Sequence, residues 1–161
     1  MTVLGAAKFS TTEFSALSLK AGSSKTLFVS RKKMKKILIA EDNAVNRELL
    51  RELLLARGYV VEEACDGQEA LQKIAESVPD ALLLDLSMPV MDGWTTVRKI
   101  REDPGTMCLH VLAVTAYAMR GDREKALEAG FDGYLAKPID FALLDAELGR
   151  LWEKRERATS E

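Results

Sequence analysis

The chain has 161 residues, 47% of them apolar, two cysteines and a formal net charge of −2. That length suffices for one domain with a real core, and no apolar run approaches the ~18 residues that span a bilayer. Charge is uneven: residues 1–36 carry +7 and residues 37–161 carry −9, and so acidic a body argues against nucleic acid as its main partner.

Residues 1–30 are rich in Ser and Thr, lack sustained periodicity and read as disordered. The expected divisions are a basic leader over 1–34, a domain over 35–155 and a short tail over 156–161. Three origins compete for the leader. One is a start placed too early, with Met34 as the true start. Another is a native tail whose Arg31–Lys36 segment binds something acidic. A transit or signal peptide is disfavoured by the missing apolar run and the single arginine.

From Lys36 onward, strand and helix patterns alternate. Residues 36–41 read as a buried strand. Asn43 caps a helix over 44–57 with Val45, Leu49, Leu53 and Leu54 on one face and Gly58 as its stop. A second strand covers 59–64. A short helix over 68–77 carries Ala70, Leu71 and Ile74. The third strand is 81–85, and after a turn-rich loop a helix covers 93–101 with Val97 and Ile100 inward. The fourth strand is 109–114 and its helix 119–129, closed by Gly130. The fifth strand is 131–136, and a last helix over 140–155 aligns Phe141, Leu144, Leu148 and Leu151. Five βα units in a row predict a parallel sheet with helices on both faces. Cys65 and Cys108 form no CxxC or metal pattern and read as reduced core thiols.

In such a sheet, ligands bind outside the carboxyl ends of the strands, at the topological switch point. Four apolar runs end there on reactive residues: Glu41-Asp42, Asp85, Thr115 and Lys137. Adjacent carboxylates repel unless a cation lies between them, and hard oxygen donors suit Mg²⁺. A carboxylate can attack a phosphoryl group to give an acyl phosphate. Thr115 offers a hydroxyl and Lys137 a point charge to phosphoryl oxygens. Pro138 disfavours helical geometry at Lys137 and admits a cis bond. His110, on an apolar strand, reads as a packed residue rather than a phosphodonor. Asp92-Gly93 reads as turn chemistry, Trp94 as a reporter close to the site and Trp152 as packing for the last helix.

The motifs Ile37-Leu38-Ile39-Ala40-Glu41-Asp42-Asn43, Leu84-Asp85-Leu86-Ser87-Met88-Pro89-Val90-Met91-Asp92-Gly93, Ala113-Val114-Thr115-Ala116 and Tyr134-Leu135-Ala136-Lys137-Pro138 together resemble the receiver domain of two-component response regulators. The resemblance covers about residues 35–155. It implies a doubly wound, flavodoxin-like (βα)5 fold with strand order 2-1-3-4-5. It implies that Asp85 accepts a phosphoryl group from a phosphohistidine. Glu41 and Asp42 would hold Mg²⁺ (or Mn²⁺) with Asp85 and the Ser87 backbone carbonyl, while Thr115 and Lys137 bind phosphoryl oxygens. Tyr134 falls on the family's aromatic switch position. Asn43, Asn46 and Tyr117-Ala118-Met119 are similar to receivers of hybrid kinases and single-domain phosphorelay regulators, so a stand-alone cytoplasmic receiver is expected. Its partners would be a sensor histidine kinase or histidine phosphotransfer protein and a downstream protein target. Direct DNA binding is not expected, and the state would be a monomer or a weak phosphorylation-dependent dimer. Chemistry would be limited to self-phosphotransfer and autodephosphorylation.

Three rivals share parts of this pattern, one of them a pseudo-receiver that binds without phosphorylation, which the presence of all five expected site residues disfavours. A phosphatase or other hydrolase acting through an aspartyl phosphate would need a second aspartate at position 87, which is Ser87. A flavin or dinucleotide module would need a Gly-rich phosphate loop where Glu41-Asp42 stands.

Overall fold

The computed structural model describes residues 33–159. The readings for residues 1–32 and for residues 160 and 161 lie outside the described residues. Ten elements alternate: β1 (Lys36–Ala40), α1 (Ala44–Ala56), β2 (Val60–Ala64), α2 (Gly67–Glu76), β3 (Ala81–Asp85), α3 (Gly93–Glu102), β4 (His110–Thr115), α4 (Asp122–Ala129), β5 (Gly133–Ala136) and α5 (Phe141–Thr159). The strands pair in parallel in the order β2-β1-β3-β4-β5, the order expected from the resemblance.

The central strands read as unbroken apolar runs because both of their faces are covered. Their side chains divide with period two. Leu38, Ala40, Leu82, Leu84, Val111, Ala113 and Tyr134 pack with Ala70 and Ile74 of α2, Val97 and Ile100 of α3 and Ala126 of α4. Ile37, Ile39, Leu83, Leu112, Val114 and Leu135 pack with Leu50 and Leu54 of α1 and Leu144, Leu148 and Leu151 of α5. Two helices therefore cover one face and three the other. Strand β2 is an edge, and its Glu62 and Glu63 suit a row of partly exposed positions.

Aspartate and asparagine side chains start four of the helices, Asp140 accepting from the Ala142 and Leu143 amides at 2.9 and 3.2 Å before α5. Asn43 accepts from the Asn46 amide at 3.0 Å, Asp66 from Glu69 at 2.9 Å and Asp92 from Thr95 at 2.7 Å. Gly93, next to Asp92, lets α3 approach the end of β3. A Cβ there would lie 2.4 Å from the Asp85 carbonyl oxygen and 2.9 Å from Leu86 Cα.

Five details differ from the sequence reading. Val45 and Leu49 are exposed (74% and 54%), and α1 instead buries Leu50 and Leu54. The apolar arc of α1 is wider than the sheet can cover, so one edge of it faces out. Phe141 opens α5 beyond the covered stripe and is exposed, while Leu144, Leu148 and Leu151 are buried. Helix α4 begins at Asp122 rather than 119, because Gly121 adopts φ +90°, a left-handed conformation that no helix continues through. Helix α5 runs on to Thr159. Cys65 and Cys108 are exposed thiols in the loops flanking β2 and β4, not core groups.

At the other end of the sheet from the reactive strand ends, Arg101 donates to the carbonyls of Gly130, Met107 and Leu109 at 2.7–2.9 Å. It also pairs with Asp132 at 3.0 Å. Asp132 accepts from the Val111 amide at 2.9 Å, with His110 Nδ1 3.9 Å away. Burial pushes this carboxyl up, but His110, the Val111 amide and the Arg101 charge outweigh it and hold it below the usual carboxylate range. The lone histidine is thus a packed strand residue, as the sequence reading has it.

Two stability measurements check this packing. Gly93→Ala is expected to lower the unfolding free energy by about 1–3 kcal/mol, read as a lower urea midpoint at unchanged slope. An unmoved midpoint would mean that α3 does not press on the Asp85–Leu86 backbone. For Asp132 the folded pKa is lowered, so its contribution is present above the unfolded value and is lost as pH falls through the folded one. Asp132→Asn is expected to cost about 2 kcal/mol at pH 7. The gap from the wild type should close below about pH 4; a gap constant with pH would contradict the assignment.

Candidate functional site

In-register parallel pairing brings the strand ends together. Ala40 is opposite Leu84, Asp85 opposite Val114, and Thr115 opposite Ala136. Glu41 and Asp85, each one residue beyond the Ala40–Leu84 pair, therefore emerge side by side where the strand order reverses between β1 and β3. Lys137 arrives from the end of β5, with its amide donating to the Thr115 carbonyl at 2.7 Å. The Lys137–Pro138 bond is cis.

The Lys137 ammonium donates to Glu41 Oε2 at 2.5 Å and to Asp85 Oδ2 at 2.8 Å. Glu41 and Asp85 are buried. The second Asp85 oxygen, Oδ1, accepts from the Ser87 amide at 3.0 Å, and Glu41 Oε1 accepts from the Asn43 amide at 3.1 Å. Burial pushes the Glu41 carboxyl above its ordinary range, against the pull of Lys137 and the Asn43 amide. Burial would depress Lys137, but Asp85 and Glu41 outweigh it and hold the amine above its ordinary value. Lys137 is therefore charged at neutral pH.

Asp42 is exposed, and oxygens of Glu41, Asp42 and Asp85 lie within 4.8 Å of one another. Three carboxylates share one ammonium, leaving negative charge in excess when all are ionised. An oxygen-only donor set with that excess fits a hard divalent cation, which takes one or two carboxylates and retains waters.

Thr115 ends β4 and is buried. Its Oγ1 accepts from the Tyr117 amide at 3.1 Å, which leaves the hydroxyl proton free to donate to another oxygen. Tyr134 is buried in the core beneath α4, and its phenol donates to the Tyr117 carbonyl at 3.3 Å. Burial raises its pKa, with a further push from Asp122. One peptide unit on each side of Tyr117 thus connects Thr115 to Tyr134. Trp94 packs edge-on against Phe131 at 5.7 Å, one residue past the glycine that touches Asp85.

Of the residues expected in the site, Glu41, Asp85 and Lys137 are in direct contact and Asp42 completes the acidic group. Thr115 stands at the same edge but bonds within its own loop, and Ser87 contributes an amide to Asp85. Sequence reading missed Arg47, whose Nη1 donates to the Glu41 carbonyl at 2.8 Å. Its position four residues after the Asn43 cap, on the turn facing that cap, was the available signal.

The family model for the response regulator receiver domain matches residues 37–148. Response regulator PleD of Caulobacter vibrioides is 43% identical over 116 residues, covering 72% of this chain and 26% of PleD. The polar-differentiation response regulator DivK of Brucella ovis is 37% identical over 105 residues, covering 65% of this chain and 85% of DivK. The chain thus spans about a quarter of PleD and most of DivK. Among solved structures, the receiver domain of a sensor histidine kinase from Pseudomonas aeruginosa PAO1 superposes with a TM-score of 0.68 at 38% identity, covering 73% of this chain and 97% of that one. That structure has a magnesium ion coordinated in its active site cleft. Sequence and backbone likeness extend over nearly all of the described domain, and the chain belongs to the response regulator receiver domain family of two-component phosphorelay signalling.

Proposed function

We propose that Asp85 is the phosphoryl acceptor of this receiver, taking the group from a phosphohistidine of a sensor histidine kinase or a histidine phosphotransfer protein. The observation that carries this reading is the buried Asp85 carboxylate, held by the Lys137 ammonium at 2.8 Å and the Ser87 amide at 3.0 Å. An Asp85 oxygen attacks phosphorus as the P–N bond to the donor histidine breaks. The bonding pair returns to the imidazole nitrogen, and an acyl phosphate forms. Positioning and charge neutralisation carry most of such a transfer. Lys137 already pairs with the nucleophile and remains to pair with the phosphoryl oxygens. Glu41, Asp42 and Asp85, with the Ser87 carbonyl, would hold Mg²⁺ (or Mn²⁺). Such an ion, when bound, neutralises charge on the incoming group.

The product adds about two negative charges and three acceptor oxygens. Thr115, whose hydroxyl proton is free, is the donor at hand. A shift of Thr115 toward the phosphoryl group pulls on the Tyr117 amide, and the Tyr117 carbonyl is bonded to Tyr134. The charge is thereby read as a change in the β4–α4 loop, α4 and Tyr134, biasing a two-state equilibrium toward a surface that a downstream protein binds. The role is that of a signalling acceptor. Ser87, two residues after Asp85, lacks the second carboxylate an aspartyl-phosphate hydrolase would use. The reading carries a cytoplasmic location with it, where the donor kinase domain acts. No helix among the described residues is long and apolar enough to cross a membrane.

Incubation of the full chain with a radiolabelled phosphohistidine donor and Mg²⁺ is expected to yield a hydroxylamine-labile label. Asp85→Asn should lose it entirely; label retained in that variant would sink the assignment. Lys137→Ala is expected to slow transfer by about 10²-fold, in the range seen when an oriented charge or donor is removed from a site of this kind. A second check is beryllofluoride with Mg²⁺, followed by side-chain shifts of Thr115 and Tyr134. Both should move together in the wild type and neither in Asp85→Asn.

A further inference from the structure

Glu41 and Asp42 stand on a turn between β1 and α1, and a single side chain spans that turn. Arg47 Nη1 donates to the Glu41 carbonyl at 2.8 Å and lies 3.4 Å from the Asp42 carbonyl. Its Nε lies 3.3 Å from Glu63 Oε1 on β2. Glu63 in turn reaches Arg51 on the next turn of α1 at 3.5 Å. The Arg47 side chain is only 17% exposed.

Three features set this guanidinium apart from an ordinary surface ion pair. It takes two successive carbonyls on one nitrogen, so it fixes two peptide planes and with them the directions in which the side chains of residues 41 and 42 leave the backbone. Its charge is matched by Glu63, so it adds little positive potential to the carboxylates it orients. Its hydrogen bonds at the turn go to backbone oxygens and leave the carboxylate oxygens to other partners. The remaining restraints act elsewhere: the Glu41 amide donates to Ala64 at 3.1 Å, and the Asn43 amide to Glu41 Oε1 at 3.1 Å.

We infer that Arg47 is a positioning residue, which clamps the Glu41–Asp42 turn between α1 and β2 so that both carboxylates face a divalent cation. The inference rests on the proposed role of Glu41 and Asp42 as holders of that cation. Arginine suits the task because its planar fork reaches a carbonyl and a carboxylate at once, whereas a lysine offers one nitrogen. Groups that orient metal ligands without touching the metal commonly change affinity by about tenfold or more.

Arg47→Lys in the full chain separates the possibilities. Without metal, the Glu41 and Asn43 amides are expected to exchange with solvent about tenfold faster, while amides in β3 and β4 keep their rates. Mg²⁺ affinity, measured by calorimetric titration, should weaken about tenfold, with the urea midpoint nearly unmoved. Unchanged exchange at both amides overturns the inference. So does a falling midpoint with faster exchange across the whole sheet, which would make Arg47 a general structural residue. Asp85→Asn is titrated in parallel. If it binds Mg²⁺ as the wild type does, the proposed cation site is wrong, and the metal-free exchange rates alone decide whether Arg47 holds the turn.

Discussion

The Lys137 ammonium lies between Glu41 and Asp85, and the remainder of the site is arranged around that contact. Two carboxylates placed side by side at the ends of adjacent buried strands repel each other. Unit charges 4 Å apart interact by about 4 kcal/mol at a partly screened site. The chain answers with one cation delivered from β5, two strands away from Asp85. That cation is tied to the sheet through its own amide on Thr115. Lys137 therefore offsets part of that repulsion at the switch point, while the group stays short of positive charge once Asp42 is counted. A site that is folded yet electrostatically incomplete is suited to accept a cation and to respond to an added anion.

The same arrangement gives the proposed acyl phosphate a route by which a local change of charge would be felt at a distance. Lys137 and Thr115 are joined by a backbone hydrogen bond, Thr115 and Tyr117 by a side-chain one, and Tyr117 and Tyr134 by another. Each link is a single bond worth about 1 kcal/mol net. Such a chain can rearrange without breaking the core. By contrast, the Arg47–Glu63 bridge and the Asn43 cap hold the acidic turn from the other side of the site. One flank is held by several partners and the other by a series of single bonds, so the proposed switch would move β4 and α4 rather than the acidic turn.

Much of this was legible from the residues alone. The strands were readable because each pairs an apolar run with a polar terminus, and in-register parallel pairing turns that pattern into a shared edge. Glu41, Asp85 and Lys137 could be placed together for that reason, whereas their hydrogen-bond partners could not. The pairing of Ser87 and Asn43 amides with carboxylates depends on loop conformation, and Arg47 depends on which way a helix is rolled. The roll of α1 is also where the reading failed. Leu49, Leu50, Leu53 and Leu54 form an arc with two plausible inner faces, and periodicity cannot choose between them. The sheet chose Leu50 and Leu54, leaving Val45 and Leu49 outside. Cys65 and Cys108 were misplaced because cysteine's usual burial is a statistical habit, and both fall in connections between elements.

Helix α4 shows how the fold distributes its stability. Helices α1, α2 and α3 each begin on an Asn or Asp side chain that accepts an amide proton. Helix α4 begins on a left-handed glycine without a side-chain cap, has eight residues and buries Ala126 alone. A missing cap is worth about 1 kcal/mol, and so short a helix depends on tertiary contacts for its existence. Those contacts are Ala126 and the partly buried Ala129 against a core that includes Phe131 and Tyr134, and an ion pair from Arg123 to Glu147 at 3.6 Å. The element joined to Thr115 through the Tyr117 loop is thus the one least anchored by its own sequence. A few kcal/mol of new interaction at the proposed acyl phosphate would be comparable to what holds α4 in place, while the in-register sheet beneath it would require far more to disturb. Under the proposed switch, capping and burial would set the boundary between what moves and what stays, just after Thr115.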